Sequence, residues 1–307
     1  MAYMRVLQLT NSFRPFFNDQ VDTLRNHGVE VETVCVPGER IATDETVQPR
    51  STLDYVRFYP RVVKNSMENF DIIHANHGLT APFAIAQPDR PIVLTLWGSD
   101  LVSTLGPLSK YSSHFFDEVI LPAKNMSSYL PRSSSIIPYG ININRFQPMS
   151  RDDARDYVGW NRNESVILFP YPKSREVKNY QLAKQIVQKM DAEVSLHTLS
   201  DIPHSEVPYY MNASNAVLVT SKRETGPMVV KEAAVCNVPV VSTNVGFVSQ
   251  SLDDISTSYV CKSVSEFVEK LDYIVRTGER SDGSKKAKDW SINNMGEELT
   301  NLYKNII

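Results

Sequence analysis

The sequence predicts an α/β protein of two doubly wound domains, and three observations carry that expectation. Short apolar runs, each the length of one buried strand, alternate with segments of helix length. The 307 residues exceed the roughly 250 that a single hydrophobic core usually organises. The alternation also breaks once, across 141–162, where Pro148 and the charged run Arg151-Asp152-Asp153-Ala154-Arg155 mark a hinge, and then resumes. In the first half the strand runs are 5–10, 29–36, 71–74, 92–96, 118–121 and 135–138, with a helix over 19–26 that stops before Gly28. In the second half they are 166–169, 193–199, 216–220, 238–242 and 259–261, with a helix over 229–235. Continuous apolar runs are those of parallel strands covered on both faces. The expected domains are therefore 1–147 and 148–289. In open parallel sheets ligands sit beyond the carboxyl ends of the strands, so two such domains facing each other frame a cleft lined by strand-end loops.

Lys and Arg number 32 against 35 Asp and Glu, a formal net charge of −3, so nothing global favours a nucleic-acid partner. No run approaches 18 apolar residues, and Met1-Ala2-Tyr3-Met4-Arg5 leads straight into a strand. Neither a membrane span nor a signal peptide is expected, which makes the cytoplasm the expected location. Cys35, Cys236 and Cys261 lack metal-ligand spacing and read as reduced packing residues. Arg57, Arg61 and Lys64 recur near helical spacing beside Phe58, Tyr59 and Val63, a pattern that suits a peripheral contact with anionic lipid at the inner face of the membrane. A solvated helix face is the plainer account, and Pro60 is expected to interrupt any single helix there.

The most informative stretch is 221–246, Ser-Lys-Arg-Glu-Thr-Gly-Pro-Met-Val-Val-Lys-Glu-Ala-Ala-Val-Cys-Asn-Val-Pro-Val-Val-Ser-Thr-Asn-Val-Gly. It follows a buried-strand run and opens with a turn carrying Glu224 and Gly226. The missing side chain at Gly226 and the preset φ at Pro227 let a ligand approach the backbone, while the first helical amides, around Met228 and Val229, point outward and attract phosphate. Glu232 lies about one turn into that helix, beside whatever the amides hold, and a carboxylate accepts two hydrogen bonds from a vicinal diol such as that of a ribose. Glu224, on the preceding loop, is placed for the hydroxyls of a sugar attached to the phosphate. Taken alone, two glutamates at this separation are as well explained by a helix dipole and a solvated loop.

The surrounding residues tip that balance. The stretch closely resembles the signature S-x-x-E-G-x-P-x-x-x-x-E-A-x-A-C-G-x-P-V-V-x-T-x-V-G of the retaining glycosyltransferases of family four, the group 1 family. Thr225 stands where that pattern often has Gly, and Asn237 replaces the Gly after the helix, where Asn tolerates the left-handed conformation. Asp71-Ile72-Ile73-His74-Ala75 is similar to the family's D-(V/I)-(V/I)-H-A. Leu94-Thr95-Leu96-Trp97-Gly98-Ser99-Asp100 resembles V-T-L-H-G-S-D, and 137–148 resembles the hinge P-N-G-V-D-x-x-x-F-x-P. The resemblance implies the GT-B fold, two Rossmann-like domains with the donor held mostly by the second, and a last helix, 290–307, that packs back on the first.

A nucleoside diphosphate leaving group gathers negative charge as the glycosidic bond breaks, and cations or aligned donors must meet it. The adjacent acids Asp152-Asp153 and Asp253-Asp254 fall in a linker and a loop, so no metal site is expected, nor any cofactor besides a nucleotide-sugar co-substrate. The segment 171–178 instead puts Lys173 and Lys178 at the carboxyl end of the 166–169 strand. It resembles the family's G-R-x-x-x-x-x-K-G, whose Arg and Lys grip the diphosphate. Lys178 takes the place of that Lys, and Lys173 that of the Arg, with Arg175 competing. The loop from Leu199 to Ile202 is where the family's base is contacted, largely by backbone. On the acceptor side Trp97 stands where the family has His, with Ser99, Asp100 and His77 as nearby polar groups; Trp97 either stacks on a sugar face or fills the core. His74 could also face the cleft. The loop 11–18 lacks the Gly-Gly pair often seen there.

The implied function is transfer of a sugar from a nucleotide diphosphate to a hydroxyl acceptor, a glycan or lipid-linked sugar, without metal and with the anomeric configuration kept. Lys178, Lys173 and the 226–228 amides stabilise the leaving charge, Glu224 and Glu232 orient the donor, and the departing phosphate takes the acceptor's proton. Two alternatives stay open: a catalytically silent glycosyltransferase-like subunit that binds a nucleotide or a partner enzyme, and a nucleotide-sugar epimerase built on the same architecture.

Overall fold

Every strand pairing in the computed structural model is parallel among the residues it describes, 4–38, 50–88, 91–224 and 226–307. The elements in chain order are β1 (Arg5–Thr10), α1 (Pro15–Asn26), β2 (Glu30–Cys35), α2 (Thr52–Ser66), β3 (Ile72–Asn76), α3 (Ala81–Ile85), β4 (Ile92–Thr95), α4 (Ser99–Val102), α5 (Gly106–Ser113), β5 (Glu118–Leu121) and β6 (Ser135–Ile136). The second series is α6 (Arg151–Val158), β7 (Val166–Phe169), α7 (Tyr180–Val187), β8 (Ser195–Thr198), α8 (Val207–Ala213), β9 (Ala216–Val219), α9 (Met228–Val235), β10 (Val240–Thr243), α10 (Val248–Leu252), β11 (Tyr259–Cys261) and α11 (Val264–Thr277), before the last helix, α12 (Ile292–Ile306). Contacts divide the chain into a first unit, Met1–Gly140 with Ile292–Ile307, and a second, Ile141–Ser291.

The first sheet runs β2-β1-β3-β4-β5-β6 and the second β11-β10-β9-β7-β8. Counted within its own unit, each sheet starts at one strand, places the next on one side and the third on the other. The chain thus reverses its direction of winding between β1 and β3, and again between β7 and β9. At such a point the loops leaving two adjacent strands diverge and open a crevice. The central strands are buried on both faces: all of β7 and β9 is buried, as is nearly all of β1. That is why these runs lack alternation in the sequence.

Three local readings change. α2 runs unbroken through Pro60, because a capping box between Ser51 and Asp54 starts it and Phe58 and Val62 anchor it on both sides of the proline. Pro60 is exposed, so its missing N–H costs little where water meets the freed carbonyl. α1 begins at Pro15, within the stretch read as a loop, since proline suits the first helical position. Residues 141–147 pack with the second unit: Ile141 donates its N–H to the Trp290 carbonyl (2.6 Å), and Ile141 and Phe146 belong to that unit's core.

In the first unit α12 lies against α1. Gly296 makes the approach possible, for a Cβ there would meet Thr23 Oγ1 at 2.4 Å, and Thr23 Oγ1 itself donates to the Ile292 carbonyl (2.9 Å). The three cysteines are free; Cys236 and Cys261 are buried, and burial pushes their thiols up to about 12 and about 11. No helix among the described residues is long and apolar enough to cross a membrane.

Candidate functional site

The switch point of the second sheet brings together side chains that are far apart in sequence. β7 and β9 are neighbours, so the loops that follow them, 170–178 and 220–227, leave side by side. They are stitched to each other: Thr220 Oγ1 donates to the carbonyls of Lys178 and Asn179, both at 3.0 Å, and Lys222 N donates to the Val177 carbonyl (2.9 Å). Across this seam Lys178 Nζ is hydrogen-bonded to Glu224 Oε1, which also accepts from Ser221 Oγ (2.8 Å). The ammonium lies 3.9 Å from the centre of the Tyr171 ring. Burial pushes the Lys178 ammonium below its ordinary value; Glu224 opposes that fall and the charge of Arg175 adds to it. Lys178 and Glu224 therefore form one neutral, oriented unit. A lysine has three N–H donors, and Glu224 uses one.

Lys173 is exposed and lies over the Tyr180 ring, 5.4 Å from its centre, with no ion pair to Glu224. Arg175 is also exposed, and its positive charge lowers Lys178. Leu199 follows β8, with a buried side chain and its N–H on the Phe169 carbonyl (3.3 Å), so only its backbone is near the sheet end.

Past the seam the chain enters α9. Gly226 faces the Phe247 ring so closely that a Cβ would sit 2.0 Å from Cε1. Pro227 holds the N-cap position, and the first amides of the helix, Met228 and Val229, lack partners within it by helix geometry. Thr225 lies outside the described residues. α9 is buried on all sides, charged residues included. Glu232 is 9% exposed, and its Oε1 is 3.0 Å from His204 Nε2; His204 Nδ1 is in turn 3.0 Å from Arg145 Nη1. Lys231, on the next position of the same turn, is 5% exposed and sits between the rings of Phe247 (4.9 Å) and Trp290 (5.4 Å). Burial alone pushes it down to about 8. After the helix, Asn237 has φ 55°, the left-handed conformation expected where the family has Gly.

In the first unit Trp97 follows β4, and its indole packs edge-on against Phe16 (4.9 Å) and His77 (5.4 Å). Its Nε1 is buried with no hydrogen-bond partner among the described residues. The Asp100 carboxylate is spent on three backbone donors, Gly98 N (2.7 Å), Gly78 N (2.9 Å) and Trp97 N (3.1 Å), so it clamps the loops after β3 and β4 instead of reaching outward. Ser99 is exposed at the start of α4. His77 has φ 91° and accepts from Leu79 N (3.2 Å). His74 is wholly buried inside β3, which removes it from any strand-end role.

Sequence reasoning missed His204, Arg145, Lys231, Tyr171 and Phe247. Lys231 left a trace, a charge inside an apolar helix; a lone histidine 28 residues before Glu232 left none.

The sequence model described as glycosyl transferases group 1 matches residues 176–294. A protein of Bacillus subtilis (strain 168), described as the teichuronic acid biosynthesis glycosyltransferase TuaC, is 27% identical over 215 residues; the match covers 58% of this chain and 54% of that protein, about half of its length. Among solved structures, sucrose-phosphate synthase (tll1590) from Thermosynechococcus elongatus superposes with a TM-score of 0.77 at 14% identity, covering 98% of each chain. Anabaena Alr3699/HepE in complex with UDP-glucose does so with a TM-score of 0.76 at 15% identity, covering 98% of this chain and all of that one. Over residues 176–294 the chain is thus similar to the group 1 glycosyl transferases, and its two units have the GT-B fold.

Proposed function

We propose that the protein transfers a sugar from a nucleoside diphosphate to a hydroxyl of a glycan or a lipid-linked sugar, keeping the anomeric configuration and using no metal or cofactor. One observation carries the reading: at the switch point of the second sheet, adjoining loops bring together a lysine-glutamate pair and an open helix start, with a second carboxylate, Glu232, about one turn into that helix. Phosphate oxygens meet the Met228 and Val229 amides and the remaining Lys178 donors, with Lys173, or its competitor Arg175, as the exposed cation beside them. Glu232 accepts from the ribose diol. Glu224, held by Lys178 and Ser221, accepts from the hydroxyls of the sugar. As the glycosidic bond lengthens, charge grows on the diphosphate, where donors already fixed by the fold stabilise it without reorganising. The departing phosphate oxygen takes the acceptor's proton, so no protein base is required. That an Anabaena structure with this fold was solved with UDP-glucose supports a uridine nucleotide as the first probe.

Trp97, Ser99 and His77 are the acceptor-side groups of this proposal. A cytoplasmic protein touching the inner face of the membrane is also part of it, supported by α2, whose exposed side carries Arg57, Arg61 and Lys64 next to Leu53, Val56 and Tyr59.

A thermal-shift panel of UDP, UDP-glucose and other nucleotide sugars identifies the donor, since a ligand that favours the folded form raises Tm. With that donor, release of free nucleotide on adding acceptor measures transfer. Glu232→Ala and Lys178→Ala are expected to lower transfer by at least about 100-fold with the fold retained. Wild-type turnover by Glu232→Ala would refute the proposal. Binding with no turnover for any acceptor selects the silent subunit, and conversion of the donor without acceptor selects the epimerase.

A further inference from the structure

We infer that Arg145 and His204 form a positioning relay that fixes the carboxylate plane of Glu232 and so sets the affinity for the nucleotide, an inference that rests on Glu232 reading the ribose. The three groups come from separate parts of the second unit: Arg145 from the segment before α6, His204 from the loop between β8 and α8, and Glu232 from α9. Their contacts form one line, Arg145 Nη1 to His204 Nδ1 at 3.0 Å and His204 Nε2 to Glu232 Oε1 at 3.0 Å.

The chemistry of the first contact decides that of the second. A guanidinium has donors only, so Nδ1 must accept, and a ring nitrogen that accepts carries no proton. The proton of the neutral imidazole is then on Nε2, where it is donated to Glu232 Oε1. Arg145 thus selects the tautomer that can hold the carboxylate. With Arg145 absent, Glu232 alone favours the proton on Nε2, and Nδ1 loses the donor that keeps it bare.

Both outer members of the relay are anchored. Asn142 caps the turn that carries Arg145: its Oδ1 accepts from Arg145 N (3.2 Å), and its carbonyl accepts from Arg145 N (3.0 Å) and Phe146 N (2.8 Å). Phe146 is buried and packs its ring 5.3 Å from that of His204, which limits rotation of the imidazole. Glu232 is on a helix buried on all sides. Oε1 is the oxygen that His204 holds, which leaves Oε2 to accept from the ligand. A carboxylate locked in this way accepts from a diol without losing the freedom a mobile side chain would lose, and the gain appears in binding and not in the chemical step.

The test combines kinetics with the ring's own signal. His204→Ala is expected to raise KM for the nucleotide sugar, and Kd for UDP, about ten-fold with kcat within about two-fold, the worth of one hydrogen bond to a charged group. His204→Gln, whose amide keeps a donor near Nε2, restores most of the affinity. In ¹⁵N-histidine spectra of the unliganded protein, which has six histidines, the resonances absent from His204→Gln identify the residue. In the wild type they show a bare Nδ1 and a protonated Nε2, and in Arg145→Met the fraction with a proton on Nδ1 rises. A wild-type Kd for His204→Ala, failure of His204→Gln to rescue, or an unchanged tautomer in Arg145→Met each overturns the relay. Because the spectra need no ligand, failure of nucleotide binding in every form, wild type included, counts against the proposed function alone.

Discussion

Lys231 sits where an apolar side chain would be the simplest choice. Its ammonium lies between two aromatic rings, with no carboxylate bonded to it among the described residues, and burial alone brings it down to about 8 from 10.5. Because the folded value is the lower one, the penalty is full below pH 8 and fades as pH rises to 10.5, where the unfolded lysine also loses its proton. The folded protein should therefore gain stability across that window. The penalty from burial is on the order of 3 kcal/mol, and the two ring contacts offset part of it. Lys231→Met, which keeps the length and packs against both rings, is expected to raise the unfolding free energy at pH 7 by about 1–3 kcal/mol and to flatten the rise between pH 8 and 10.5. Urea unfolding of both proteins at pH 7 and 10 measures it. A methionine variant less stable than the wild type at pH 7 would mean that the cation is held by more than the rings.

At the scale of elements, α9 and what surrounds it show why the site was only half legible. Its existence, its bounds within one residue and the left-handed Asn237 just past its Cys236 C-cap follow from local sequence, since strand-turn-helix patterning and a left-handed residue after a helix are local properties. The partners of its charges are not local. Lys178 and Glu224 meet because β7 lies beside β9 although β8 comes between them in the chain, a consequence of winding order that no spacing rule encodes. Pro60 inside α2 failed as a break signal for a related reason: the packing of Phe58 and Val62 outweighs a local propensity. Asn237 adds to its cap role by accepting from Ser284 N (2.8 Å), which draws 281–284 onto α9 until Gly283 is all that fits against the Ala234 carbonyl. The start of the helix is equally tight. Gly226→Ala pushes a methyl into the Phe247 ring, an overpacking expected to cost about 1–3 kcal/mol and to tilt the first-turn amides. In a Phe247→Ala background the same change should cost under about 0.5 kcal/mol, because the clash has gone. A double-mutant cycle by chemical denaturation reads the coupling, and additive effects would show that Gly226 is needed for its backbone alone.

Over the whole molecule the chain's last helix returns to the first unit, and the buried polar groups that receive it make that unit acid-sensitive. Tyr303, on α12, is wholly buried and bonds two strands: its hydroxyl is 2.5 Å from His74 Nδ1 on β3 and accepts from Gln8 Nε2 (3.1 Å) on β1. His74 Nε2 reaches Thr95 Oγ1 on β4 (2.7 Å), while Asn76 donates to Gln8 Oε1 (2.5 Å) and Gln20 donates to Asn76 Oδ1 (3.1 Å). A histidine this deep stays neutral, and burial lowers it from 6.5 to about 3. The folded form then binds fewer protons than the unfolded chain at every pH between those values. Stability is complete above pH 6.5 and falls as the pH drops toward 3, at about 1.4 kcal/mol per pH unit, or about 2 kcal/mol by pH 5. His74→Gln leaves the network imperfect, so it should be less stable at pH 7, yet its stability should be the flatter of the two between pH 6.5 and 4.5. The difference between the variants cancels what other titrating groups contribute to the slope. Calorimetric Tm values at half-unit steps follow it, and parallel curves for the two proteins would remove His74 as the source. Tyr303→Phe, which cuts the link from α12 while leaving the ring to pack, should lower Tm at all pH values and keep the slope, because the imidazole stays buried.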